Sequence, residues 1–244
     1  MRISVCMATY NGGKYLREQM DSILNQDLSA FPDAELEIIV SDDDSTDDTI
    51  QILESYCDSR IKIYHHTKQR RHRWKEQSFA CTENFGNAMA HATGDYIMLS
   101  DQDDVWFPNK MAKTIAELIA GHDMCMVGFD VVTPDLKKIG SVRYEYEPRW
   151  RLRRRKKLYG FSCGFTKKEL ERYLPIPDIA AHDNFMMLVS QFRDDYSIIN
   201  ETLALHRWNG INNVSAQIDD SPYIVRNWYR IKQIVVALWR AFVR

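Results

Sequence analysis

Tyr96-Ile97-Met98-Leu99-Ser100-Asp101-Gln102-Asp103-Asp104 is an apolar run of strand length that breaks off into carboxylates. An earlier stretch has the same form, with Ile38-Ile39-Val40 leading into Ser41-Asp42-Asp43-Asp44-Ser45. Short apolar runs bounded by polar turn residues read as strands buried on both faces. Helix-patterned segments lie between them, so the strands run parallel and end at one common edge. Both acidic clusters then emerge on the same rim, which is where open α/β sheets bind their ligands.

Outward from these two stretches, the first half alternates regularly. Residues 3–7 read as a strand closed by Asn11-Gly12-Gly13, and residues 14–26 set Leu16, Met20, Ile23 and Leu24 at helical spacing. After the strand at 37–40, Ser45 or Thr46 caps a helix bearing Ile50, Leu53 and Tyr56. Strands at 61–64, 96–99 and 124–132 then alternate with helices at 84–92 and 109–120. The second half is less regular. It gives a helix near 167–173, a break at Pro175-Ile176-Pro177, a helix opening at His182-Asp183-Asn184, a strand near 196–199 and a long helix from about 222 onward. The expectation is one compact α/β unit with a Rossmann-like, mostly parallel sheet flanked by helices.

Lys plus Arg is 32 and Asp plus Glu is 34, for a net charge of −2 over 244 residues. A protein that coats nucleic acid is far more basic, and no RNA-binding signature occurs, so nucleic acid is not an expected partner. The five cysteines (Cys6, Cys57, Cys81, Cys125, Cys163) never form a CxxC pair, which excludes a disulfide framework or structural zinc site and suits a reducing compartment. The opening apolar run is too short for a signal peptide, and no stretch approaches the roughly 20 apolar residues of a membrane span. A cytoplasmic location is expected.

Crowded carboxylates on one rim repel each other unless a hard cation or hydroxyl donors occupy the space between them. Carboxylate oxygens suit Mg²⁺ or Mn²⁺, which also bind phosphate oxygens. The chain has neither GxGxxG nor GxxxxGK[ST], so it lacks the backbone cradle of a dinucleotide or P-loop site. A cation would have to supply most of the positive charge facing a diphosphate. The plainer alternative is that each acidic turn only caps the helix after it.

Four segments stand in order: Val5-Cys6-Met7-Ala8-Thr9-Tyr10-Asn11-Gly12, Leu24-Asn25-Gln26, Ile39 through Asp47, and Ala92 through Lys110. Together they resemble the family 2 glycosyltransferases of GT-A fold, in particular the bacterial branch with rhamnosyltransferases of surface polysaccharide assembly. The resemblance is close over the first 130 residues and thinner to about Ser215. It implies a donor half at 1–130 and an acceptor half at 131–220 of one GT-A domain (1–220), followed by a basic amphipathic helix at 221–244. It also implies a nucleotide-diphosphate sugar as donor. Ala8, Thr9 and Tyr10, with Asn11 after them, would line the base and ribose. Asp43, with Asp42 beside it, would meet the base. Asp101-Gln102-Asp103 resembles the family's DxD motif, with Asp103 holding Mn²⁺ or Mg²⁺ and Asp101 holding the ribose or the metal's water shell. Trp106 stands at the aromatic position of that motif, where the family serves either packing or acceptor contact.

His182-Asp183 resembles the family's later [EH]D motif, which implies that Asp183 is the general base beside the acceptor hydroxyl and His182 its neighbour. In-line attack with one base gives inversion. One segment departs from the family pattern: Asn209 falls where a histidine is expected, leaving His206 as the candidate metal or diphosphate contact. In the basic loop at 68–75, Arg70, Arg71 or Arg73 would face the diphosphate, with Arg71 chosen here.

The last segment is amphipathic. Ile224, Trp228, Ile231, Val235, Leu238 and Phe242 form one stripe, Arg226, Arg230, Arg240 and Arg244 lie opposite, and no acidic residue follows Asp220. Either the stripe packs on the domain, or it meets an anionic membrane surface, as a lipid-linked glycan acceptor would require. The basic run at 149–157, seven Lys or Arg in nine positions, favours the membrane. Three rivals remain: a sugar nucleotidyltransferase, which needs a Gly-rich basic loop after the first strand; a receiver-like signalling domain, about half this length; and an inactive membrane-bound relative, which would not need all of Asp43, Asp101, Asp103 and Asp183.

Overall fold

The computed structural model describes residues 1–67, 76–146, 158–178, 181–208 and 222–243. Its centre is four parallel strands: β1 (Arg2–Thr9), β2 (Glu35–Asp42), β3 (Ile61–His65) and β4 (Tyr96–Ser100), in the order β3-β2-β1-β4. Helices α1 (Gly13–Leu24), α2 (Thr49–Glu54) and α3 (Glu76–Ala90) supply the crossovers. The middle strands are covered on both faces, so Ile3, Val5, Cys6 and Met7 are all buried in succession rather than alternating with polar residues. In α1 the buried positions are Leu16, Gln19, Met20 and Ile23, the 3.6-residue stripe expected from the sequence.

The second half extends the same sheet, so the expected donor and acceptor halves share one continuous layer. The further elements are β5 (Val105–Trp106), α4 (Lys110–Ile119), β6 (Met124–Val132), β7 (Lys138–Val142), β8 (Cys163–Thr166), α5 (Lys167–Tyr173), α6 (His182–Arg193), β9 (Tyr196–Arg207) and α7 (Tyr223–Phe242). The order continues β4-β8-β6-β9-β5, and β7 pairs with β6. β8 inserts antiparallel between β4 and β6, and β5 pairs antiparallel with β9. The sheet is therefore mostly parallel, with antiparallel members confined to this half.

The sequence pattern missed β5, β7, β8 and the length of β9. β9 reaches Arg207 because β6 offers a parallel partner along its whole length, with Val131 opposite His206 and Val132 opposite Arg207. β5 has only two residues, too few to show a period. Its pairing of Val105 with Leu205 and Trp106 with Ala204 nevertheless decides the site, because it carries the end of the 101–104 loop to the end of β9.

Candidate functional site

The two acidic clusters lie on one rim, but they are built differently. After β2, Asp42 is 1% exposed and has both oxygens occupied: Oδ1 accepts from Thr9 Oγ1 (2.7 Å) and Ser45 Oγ (2.6 Å), and Oδ2 accepts from Ser45 N–H (2.8 Å). Asn11, held at a positive φ of 48°, donates its N–H to Ser45 Oγ and accepts from Thr46 N–H through Oδ1. These bonds weld the end of β1 to the loop after β2. Asp43 is the outward member of the pair, with Oδ1 3.1 Å from His66 Nδ1. The Tyr10 ring is 58% exposed beside them.

After β4, Gln102 braces the loop back to β1. Its Oε1 accepts from Tyr10 N–H (2.8 Å), and its Nε2 donates to the Tyr10 carbonyl (3.0 Å). A Cβ on Gly12 would lie 2.3 Å from Gln102 Oε1, so this brace requires glycine at position 12. The next two residues are clasped by the end of β9. Arg207 donates to the Asp103 carbonyl (3.0 Å) and pairs with Glu18. His206 Nδ1 lies 2.8 Å from Asp104 Oδ1.

Asp101, Asp104 and His206 thereby offer ligand atoms that all lie within 4.8 Å of one another. The other Asp104 oxygen, Oδ2, is buried with no hydrogen-bond partner. Burial, then Asp104 and Asp103, push the Asp101 carboxyl well above the usual carboxylate range. Burial and Asp104 raise Asp103 to about 6. For His206, burial alone would lower the pKa, but Asp104, with Asp101 and Asp103, outweighs it and lifts the imidazole to about 9. Three acidic groups crowded this way, one with an orphaned buried oxygen, form a site short of positive charge. Two carboxylates and an imidazole suit a divalent cation of the Mn²⁺ type, so the residues present fit the group.

Asp183 stands in the first turn of α6, after Ala181 in a left-handed conformation (φ 67°). Its Oδ1 accepts from Asn184 N–H (2.7 Å). Its charge acts on Asp101. The Cys81 thiol of α3 is pushed up by burial and by Asp101, Asp183 and Asp43 together, so the charges of carboxylates from three separate segments reach one side chain. His182 is buried against Phe85 at 4.4 Å between ring centroids, and burial lowers its pKa to about 4.

The structure thus brings Asp101 and His206 together with Asp104, next to Asp103 on the same loop, and the charges of Asp183 and Asp43 reach the neighbouring Cys81. It corrects several other expectations. Asp42 and Thr9 spend their side-chain oxygens, and Asn11 its N–H and Oδ1, on holding the rim, and Gln102 spends its amide on Tyr10, whose side chain stays exposed. Trp106 is 2% exposed with Lys110 Nζ 3.3 Å above its ring, so it packs in the core instead of facing an acceptor. His182 is walled in likewise. Arg71 lies outside the described residues, as do the run at 149–157 and Asn209. Sequence reasoning passed over Asp104, Arg207 and His66. Asp104 stood in the quoted cluster, but nothing local indicates which of its carboxylates turns inward.

Residues 4–174 match the family model for glycosyl transferase family 2. The poly(ribitol-phosphate) β-N-acetylglucosaminyltransferase TarS of Staphylococcus aureus is 34% identical over 122 residues, 50% of this chain and 19% of TarS. The dTDP-rhamnosyl transferase RfbG of Shigella flexneri is 32% identical over 122 residues, 49% of this chain and 39% of RfbG. The chain thus spans less than half the length of these two relatives. Among solved structures, TarS 1–349 in complex with UDP superposes with a TM-score of 0.70 at 19% identity, covering all of this chain and 67% of that one. The Pyrobaculum calidifontis mannosyltransferase PcManGT, in complex with GDP-Man and Mn²⁺, gives 0.55 at 20% identity, covering all of this chain and 64% of that one. These likenesses establish the GT-A architecture that the ordered motifs implied. With the family model matching most of its length, the chain belongs to glycosyl transferase family 2.

Proposed function

We propose that the chain transfers a hexosyl or rhamnosyl group, with inversion, from a nucleotide-diphosphate sugar to an acceptor hydroxyl of a glycan. The acceptor is a lipid-linked glycan in bacterial surface polysaccharide assembly, met by a cytoplasmic enzyme peripheral to the inner membrane face. The observation that supports this most is the convergence of Asp101, Asp104 and His206, with Asp183 in electrostatic reach on a separate element.

Asp101, Asp104 and His206 would hold a divalent cation, with Asp103, the ligand implied by the family motif, on the same loop. When bound, that cation supplies positive charge beside the departing diphosphate. The chain's own groups do the rest. Asp43 turns one carboxylate oxygen to the base, its other being held by His66, and the exposed Tyr10 ring offers the base a flat apolar face. The acceptor oxygen attacks the anomeric carbon from the side opposite the diphosphate. The bond from that carbon to the diphosphate oxygen breaks, and its electron pair leaves with the nucleotide. The hydroxyl proton passes to Asp183 Oδ. The buried shell of Lys110, Trp106 and Phe161 behind the acidic loop keeps water from its rear face.

A thermal-shift panel of nucleotide sugars with and without Mn²⁺ tests the reading. A true donor at about a hundredfold excess over its Kd stabilises the fold by about 2.7 kcal/mol. Asp183→Asn is expected to keep that shift and lose transfer by about 10²- to 10⁴-fold. Transfer at the wild-type rate in Asp183→Asn removes the proposed base, and a flat panel removes the donor site.

A further inference from the structure

The apolar stripe of α7 does not pack on the domain. Ile224, Trp228, Ile231, Val235, Leu238 and Phe242 all face outward, with Ile224 81% and Phe242 63% exposed. The opposite face makes the contact: Ala237 and Ala241 fit closely, with Gln233 and Arg240 buried beside them. The Arg240 guanidinium donates to the carbonyls of Arg172, Leu174 and Pro175, and Lys232 Nζ donates to the carbonyl of Asp178 (2.6 Å). The helix is therefore fixed to the body mainly through Gln233, Ala237, Arg240 and Ala241, with Ile234 and Val236 half-buried beside them, while the six residues of the stripe stay uncovered.

We propose that this outward face of α7 docks onto the surface of an anionic phospholipid bilayer. The proposal deepens the lipid-linked acceptor reading above and rests on it for its biological purpose. The six residues, with Trp239, fall within an arc of about 100° on a helical wheel, a width suited to a helix lying in the plane of the headgroups. Within that arc the chemistry is graded. Ile224, Ile231, Val235 and Phe242 form the middle, and Trp228 and Trp239 share one border. Aliphatic centre and tryptophan border match the layering of acyl chain and interface.

Charge selects this occupant over a second copy of the chain. Residues 221–244 hold Arg226, Arg230, Lys232, Arg240 and Arg244 and no acidic residue. The segment is net positive, so two copies of it repel one another at long range, whereas anionic headgroups supply the complementary sign. Among the described residues no helix is long and apolar enough to cross a membrane, so α7 lies on the surface. Its 20 residues extend over about 30 Å. Its middle meets Asp178 and Ala181, the latter two residues ahead of Asp183, and the Tyr229 ring meets Phe79 of α3 at 5.5 Å. Docking would hold the proposed base next to the interface from which a lipid-linked hydroxyl arrives.

The test is sedimentation of the full chain with phosphatidylcholine vesicles, with and without phosphatidylglycerol. Ile231→Glu/Val235→Glu is the comparison, because both positions are exposed and the fold does not depend on them. Wild type is expected to pellet with the anionic vesicles, with its tryptophan emission shifting to the blue. The double variant should bind at least about tenfold more weakly, while keeping its helicity and its nucleotide-induced thermal shift. Wild type left in the supernatant overturns the proposal. So does a wild-type dimer that the double variant dissociates while vesicles bind neither, since the face would then join two copies. Vesicle binding without any nucleotide shift supports docking and instead overturns the donor site.

Discussion

The loops after β2 and β4 each carry three aspartates at the end of a parallel strand, yet they are finished in opposite ways. After β2, hydroxyl and amide donors fill both Asp42 oxygens, and the loop is complete as it stands. After β4, Asp104 keeps an orphaned oxygen, and the Asp101 and Asp103 carboxyls are pushed up by burial and then by the neighbouring Asp104. Glu37, deeper in β2, shows that burial alone does not force this outcome. Burial raises its pKa, but Lys62, Ser4 and Thr93 outweigh that and bring it down to about 2. A buried carboxylate surrounded by donors is part of the framework, while one surrounded by carboxylates is left short of positive charge.

The widest separation between the loops is expected from Asp101→Asn. It removes a charge from a group that is repelled by its neighbours, so the melting temperature at neutral pH should stay level or rise. Mn²⁺ affinity and turnover should fall by at least about a hundredfold. Calorimetry of unfolding together with Mn²⁺ titration checks both arms. A lower melting temperature with unimpaired turnover would put Asp101 in the framework class with Asp42, and the contrast between the loops would vanish.

How far the sequence showed all this depended on distance along the chain. The rim, its two acidic clusters and the helices between them were legible, because a buried parallel strand is a continuous apolar run and its end is marked by the first polar residues. The partnership of Asp104 with His206 was not, since 102 residues separate them and the element that joins them, β5, is two residues long. His206 was found through a family pattern that it only partly fits, and its neighbour Arg207 was not found. For α7 the period was right, but the sequence left open which face packs. An apolar stripe usually marks the inner face; here two alanines and a guanidinium capping three carbonyls hold the helix instead.

Glu37 gives the next largest effect, and its direction follows from linkage. Its folded pKa, about 2, lies below the ordinary value of 4.5. The stability it contributes is therefore fully present above about pH 4.5 and is lost as the pH falls towards 2, amounting to about 3 kcal/mol. Glu37→Gln should forfeit that stability at neutral pH and flatten the unfolding free energy across this acid window. Denaturant titrations at stepped pH give the curve. An unchanged slope between wild type and variant would mean that Lys62 and the hydroxyls do not hold the carboxylate as drawn.

Asp42→Asn is the smallest expected change and the sharpest test, because it is the same chemical edit as Asp101→Asn made on the other loop. Asn keeps one acceptor oxygen but presents an amide where Thr9 and Ser45 now donate, so one or two hydrogen bonds are lost or must turn around. A cost of about 1–2 kcal/mol follows, opposite in sign to the effect at Asp101. Mn²⁺ affinity should be unaltered, since no Asp42 oxygen is free for a ligand. Nucleotide affinity should change by no more than about threefold, through slight loosening of Asp43. Urea unfolding and nucleotide titration on the same preparation separate the two quantities. If Asp42→Asn instead weakened the nucleotide as strongly as Asp101→Asn weakens the metal, the hydrogen bonds that close the first loop would have to open on binding, and Asp42 would join Asp43 in the working site.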